Sequence, residues 1–252
     1  MKLPRIDHPI YKTTAPSGKD IRFRPLVVRE EKMLLMINET EEFDVDFYAD
    51  TILNIIGNCT FNDIDVNEMA SFDVEWLFCK IRAKSVGEII RTKIYDDIDD
   101  KSYVVEVDLE KIEIDNIDSV KPKKILLSDN IGIVIHQPTF KQLLNFRYNV
   151  IFKFLQEKLD KEDMLSETFL LFANCVSSVF NNETVFVPGD YANKDEFVQE
   201  VKEFLESAPI DKFKLLDEYI NNCPSIFYKT SYTTSTGEKS VELKGLRSFF
   251  TY

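Results

Sequence analysis

The feature that most constrains this chain is a change of hydrophobic period at Glu88. In the helices expected from Val28 up to it, apolar residues recur at every third or fourth position. After it, Ile90, Thr92 and Ile94 alternate against Arg91 and Lys93, and Val105, Val107 and Leu109 alternate against Glu106, Asp108 and Glu110. Helical spacing returns beyond Pro138. A chain that switches between these periods must build helices and antiparallel strands in succession, which predicts an α+β fold: a helical bundle with small antiparallel hairpins or sheets in the middle and at both termini.

The elements can be placed by their punctuation. Residues 11–26 alternate around Pro16-Ser17-Gly18-Lys19 and predict an N-terminal hairpin. Helices are expected over 28–38 and over 45–59, where Tyr48, Ile52, Ile55, Ile56 and Cys59 share a face. A third should start with Ser71 as N-cap and Asp73 and Glu75 in its first turn, carrying Phe72, Trp76, Cys79 and Ala83 on one side. These three helices are expected to pack on one another. Residues 96–102 form the turn of the middle hairpin, and further strands at 124–127 and 131–135 would extend it into a small sheet.

Thr139 with Gln142 is a capping box for a long helix whose apolar face is Phe140, Leu143, Leu144, Tyr148, Ile151, Phe152 and Leu155. Leu165, Phe169, Phe172, Ala173, Val176 and Phe180 predict the next helix, followed by a short strand at 183–187. A second capping box, Asn193 with Glu196, opens a helix facing inward through Phe197, Val201, Phe204 and Leu205, and Pro209 separates it from one ending near Asn222. Residues 225–242 read as a hairpin turning at Ser235-Thr236-Gly237-Glu238, before a tail that ends in aromatics. The expected organisation is an N-terminal α+β region, 1–137, and a C-terminal helical region with a terminal hairpin, 138–252. With no flexible linker between them, they should form one compact body.

Composition excludes several classes of function. The formal net charge of -13, without a long basic patch, argues against nucleic-acid binding, which needs clustered Lys and Arg for phosphate. No apolar run approaches the roughly 20 residues that span a bilayer, and Met1-Lys2-Leu3-Pro4-Arg5-Ile6-Asp7 is no signal segment, so a cytosolic location is expected. The four cysteines are widely spaced and should be buried free thiols. Residues 63–74 begin like a calcium loop, but the sixth position is Glu68 and the twelfth Val74, where glycine and a bidentate Glu are required. Asp96, Asp97, Asp99 and Asp100 are expected to be a solvated turn. Neither His8 nor His136 has a second ligand at zinc spacing, and no phosphate loop, nucleophile elbow or oriented triad is visible. No cofactor or metal is expected, and the paired acids Glu30-Glu31 and Glu41-Glu42 are read as helix surface.

Four segments together resemble the baseplate protein family of T4-like contractile-tailed bacteriophages: Phe23-Arg24-Pro25-Leu26-Val27-Val28-Arg29-Glu30-Glu31-Lys32, Ser85-Val86-Gly87-Glu88, Val105-Glu106-Val107-Asp108-Leu109, and Val241-Glu242-Leu243-Lys244-Gly245-Leu246-Arg247-Ser248-Phe249-Phe250. The resemblance runs over 21–109 and 227–250. It implies a non-enzymatic tail protein, a baseplate hub subunit or hub assembly chaperone. Its partners would be other hub or tape-measure proteins, with self-association open, and its place the host cytoplasm during assembly or the virion baseplate. In that family the middle and C-terminal hairpins often carry paired cysteines and look like zinc ribbons. Here both lack cysteine, so zinc is not carried over. A partner surface should centre on aromatic or Arg anchors, for which Phe23, Arg24, Phe249, Phe250 and Tyr252 are the candidates. The alternatives are a hydrolase acting during hub maturation and a module that binds a host protein.

Overall fold

The computed structural model describes residues 6–38 and 44–250. In chain order it contains β1 (Tyr11–Thr14), β2 (Asp20–Phe23), α1 (Val28–Asn38), α2 (Val45–Cys59), α3 (Ser71–Val86), β3 (Ile89–Asp96), β4 (Lys101–Asp108), β5 (Glu113–Ile114), β6 (Lys123–Leu126) and β7 (Gly132–Ile135). There follow α4 (Phe140–Asn145), α5 (Phe152–Leu155), α6 (Lys161–Asn174), β8 (Val176–Phe180), β9 (Val185–Phe186), α7 (Lys194–Glu206), α8 (Ile210–Asn221), β10 (Ile226–Thr234), β11 (Gly237–Lys244) and α9 (Leu246–Phe249). The fold is α+β, with several small antiparallel sheets including hairpins near both ends.

Contacts group the chain into two compact units, residues 1–115 with 225–252, and residues 116–224. The division expected from sequence lay at 137/138. It differs because β10 pairs with β5 through Ile226 opposite Ile114, which carries the C-terminal hairpin back to the first unit.

In the first unit, α3 is the central element. Phe72, Val74, Leu77, Phe78, Cys79, Ile81 and Ala83 are all buried, so it is apolar around most of its circumference rather than on the single expected face. Its N-cap is Ala70, which makes no side-chain cap, and not Ser71. Asp73 instead accepts the Ser17 N–H of the β1–β2 turn at 3.1 Å, and burial pushes its carboxyl up. α2 supplies Ile52, Ile55, Ile56 and Cys59 to the same core, capped by Asp44, whose side chain accepts from the Asp46 and Phe47 N–H groups.

The second unit holds a four-stranded sheet in the order β6-β7-β8-β9, covered by α6, α7 and α8. The segment 176–180, expected as the end of a helix, is strand β8. Val176, Val179 and Phe180 keep helical spacing, but Val-Ser-Ser-Val-Phe is β-prone, and pairing with β7 satisfies its backbone. The strands expected to form one middle sheet therefore fall into two sheets: β3–β4 in the first unit, β6–β7 in the second. β7 and β8 approach closely at Gly132, where a Cβ would lie 2.4 Å from Phe180 Cζ and 2.7 Å from the Ile125 carbonyl oxygen.

The capping box of Thr139 and Gln142 is present. The long helix it opens passes through a π-helical stretch, Phe146–Ile151, before α5. The wider turn rotates the apolar stripe, so Phe140, Leu143 and Leu144 are buried while Phe152 and Leu155, expected on the same face, are 53% and 73% exposed. At α7 only half the second box forms: Asn193 accepts the Glu196 N–H, and Glu196 accepts from Ala192.

Candidate interaction site

Phe23 ends β2 opposite Tyr11, their ring centroids 5.8 Å apart, and is only 2% exposed. Arg24 then turns inward. Its N–H donates to the Cys59 carbonyl at the end of α2, and its guanidinium donates to Glu30 at 3.0 Å and to the Pro25 carbonyl at 2.8 Å. Glu30, fully buried at the start of α1, also accepts the Val27 N–H at 2.9 Å. Burial pushes this carboxyl up, but Arg24, the Val27 N–H and Arg29 outweigh it and hold the group below its ordinary value. The Phe-Arg-Pro-Leu motif thus clamps β2, α1 and α2 together. Offered by the sequence as surface anchors, Phe23 and Arg24 are structural in this conformation.

Several carboxylates hold the C-terminal hairpin, Glu75, Asp96 and Asp99 among them. Glu75, buried on α3, accepts the Ser225 hydroxyl at 2.9 Å and the Ile226 N–H at 3.2 Å, fixing the start of β10. Asp96, at the end of β3, accepts from Lys239 at 2.6 Å, from the Tyr232 hydroxyl at 2.8 Å, and from the Ile98 and Asp99 N–H groups of its own turn. Asp99 in turn accepts the Ser235 N–H at 3.0 Å and the Tyr103 hydroxyl. The acidic turn expected to be solvated is therefore in part an internal joint, with Asp96 only 4% exposed. Lys239, the turn N–H groups and Tyr232 hold the Asp96 carboxyl well below the usual carboxylate range. The Ser235 and Tyr103 donors bring Asp99 down to about 2.

Beyond β11, Gly245 takes a φ of 74° that suits glycine, and the chain closes into α9. Leu246 and Phe249 are 3% and 1% exposed, so the tail packs back onto the first unit, and Phe249 is core. Phe250 is half-buried, its ring edge-on to Phe78 with centroids 5.4 Å apart. Tyr252 lies outside the described residues.

Phe249 and Phe250 line a pocket of about 410 Å³ with Arg82, Val86, Gly87, Ile89, Ile90, Arg91 and Glu106. Val86 and Ile89 at its mouth are 64% and 54% exposed. Arg91 is paired with Glu106 at 3.0 Å. Among the described residues no carboxylate reaches Arg82, and its Nη1 is buried without an acceptor. Nothing in the sequence pattern singled out Arg82, which differs from its helix neighbours only in what the fold leaves beside it. A second concavity, in the second unit, is an apolar cleft of about 270 Å³ lined by Val179, Phe180, Phe186, Tyr191 and Phe204.

All four thiols are buried and unbridged, and burial pushes Cys59 up to about 11 and holds Cys79 and Cys175 well above the ordinary thiol value. His136 Nδ1 sits 2.8 Å from the Gln137 carbonyl oxygen. Among the described residues no group of three or more His, Cys, Asp or Glu side chains is placed to hold a metal ion, and no helix is long and apolar enough to cross a membrane.

Residues 8–251 match the family model for T4 bacteriophage base plate proteins. The match spans nearly the whole chain, including the stretch between the two regions of resemblance noted above. The chain belongs to the T4 bacteriophage base plate protein family. Comparison with curated proteins and with solved structures gives no match.

Proposed function

We propose that this protein is a non-enzymatic component that helps build the baseplate hub, as a hub subunit or an assembly chaperone, by protein–protein interaction. The observation that carries this reading is the family match over residues 8–251, which embraces both units and not one module alone. Its mechanism is surface complementarity with other hub or tape-measure proteins in the host cytoplasm. The acidic balance, a net charge of -13, keeps such a chain dispersed while it waits for partners.

Within the first unit, the surface favoured for contact is the pocket mouth at Val86, Ile89 and Phe250, since exposed apolar residues beside a rigid wall are what interface cores are made from. Phe249 supports that wall from inside. Arg24 and Phe23 act only indirectly, by fixing the helices on which the unit is built.

The test is genetic. An early stop codon in the gene should leave infected cells with baseplates that lack a hub, and the chain supplied from a plasmid should restore complete particles. Normal particle yield without the chain would overturn the proposal. Quantitative mass spectrometry of the restored particles then separates a retained subunit from an assembly chaperone that departs.

A further inference from the structure

We infer that the pocket beside Arg82 is an anchor site for a partner segment presenting a carboxylate next to an aliphatic or aromatic side chain. This deepens the interaction reading above and rests on it. Arg82 lies in the last turns of α3, where the negative end of the helix dipole favours a cation. Gly87, with a φ of 123°, then lets the chain reverse into β3. The reversal places Val86 and Ile89 at the mouth of the pocket, both more than half exposed. Phe250 forms a wall already fixed against Phe78, so an occupant need not order it.

Charge selects the occupant. The pocket's other guanidinium, on Arg91, is satisfied by Glu106, whereas Arg82 has a buried nitrogen without an acceptor and no acidic partner among the described residues. A guanidinium stays ionised at any physiological pH. Covering it with a purely apolar group would desolvate an unpaired charge, and a basic group would be repelled. A carboxylate would complete it with a charge-assisted hydrogen bond, while a neighbouring Leu- or Phe-type side chain covers Val86 and Ile89. A volume of about 410 Å³ accommodates a group of that size.

The probe pair is N-acetyl-phenylalanine, which carries a carboxylate, and its neutral amide, titrated into the isotope-labelled full chain and followed by backbone amide NMR shifts. The acid should move the amides of Arg82, Val86, Ile89, Arg91 and Phe250, binding at least about tenfold more tightly than the amide, as expected when one charge-assisted contact is gained. Arg82→Gln should abolish that preference and Arg82→Lys should keep part of it. Ile89→Asp, at an exposed position that leaves folding intact, should weaken the acid more than the amide. Equal binding of acid and amide, no response to the acid at these residues, or an unchanged preference in Arg82→Gln or Ile89→Asp would overturn the inference. None of those results touches the hub proposal, whose own test is the stop codon and its rescue.

Discussion

Lys239 donates to Asp96 at 2.6 Å across 143 positions of sequence, and this contact joins the turn of the β3–β4 hairpin to the middle of β11. Tyr103 and Tyr232 pack beside it with ring centroids 5.1 Å apart and planes tilted by 36°, so the two hairpins share one polar joint flanked by aromatic surface. Asp96→Asn keeps the shape of the joint and removes its charge. The substitution should lower the melting temperature and speed hydrogen exchange of the Ile98 and Asp99 amides in the turn. Unchanged exchange at those amides would mean that the aromatic contact alone holds the hairpins.

The same joint gives the protein an acid limit. Asp96 lies well below the ordinary carboxylate range, Asp99 is brought to about 2, and Glu110 is lowered by Lys80 and Lys84. A carboxyl depressed in the folded state contributes stability that is complete above its unfolded value, about 4, and is lost as pH falls toward the folded value. Urea midpoints should therefore stay level from neutral pH to about pH 5 and fall steeply below about pH 4. The fall should be shallower in Asp96→Asn.

Arg24→Gln tests the N-terminal clamp. It leaves Glu30, which is 0% exposed, with the Val27 N–H and the contact from Arg29, a side chain that is 71% exposed. Removing one member of a buried pair costs about 3–5 kcal/mol, and the remaining Arg29 contact puts the expected loss near the lower figure. Denaturant unfolding measures it, and a loss under about 1 kcal/mol would show that the clamp is dispensable.

Neighbouring phenylalanines should behave differently. Phe249→Ala opens a hole at a side chain only 1% exposed and should cost about 3–5 kcal/mol. Phe250→Ala removes a half-buried ring and the edge contact with Phe78, and should cost about 1–2 kcal/mol while weakening partner binding. Binding measured on folded Phe250→Ala is thus more informative than deleting residues 244–252, which takes the core residues Leu246 and Phe249 as well.

Local signals were readable where local chemistry decides the outcome. The helices over 28–38 and 45–59, the Thr139–Gln142 box and the C-terminal hairpin follow from spacing and caps, and all are present. The apolar spacing of segment 176–180 fits a helix, while its state is set by pairing with β7, more than 40 residues away in sequence. The hydrogen bonds of Asp96 and Glu75 to residues of the C-terminal hairpin are long-range as well, and no window of sequence contains both ends. The aromatic tail was visible as a sequence feature, but its division into a core Phe249 and a half-buried Phe250 depends on α3. Arg82 is not legible in the sequence for the same reason: that no carboxylate among the described residues reaches it is set by what surrounds it.

The most direct test of the assembly proposal is co-expression of the full chain with the hub-region proteins encoded beside it, followed by affinity purification and native mass spectrometry. The proposal predicts a complex of defined stoichiometry that survives purification from the wild-type chain and is depleted with Ile89→Asp. Failure of the folded wild-type chain to form a complex with any of those proteins would contradict it.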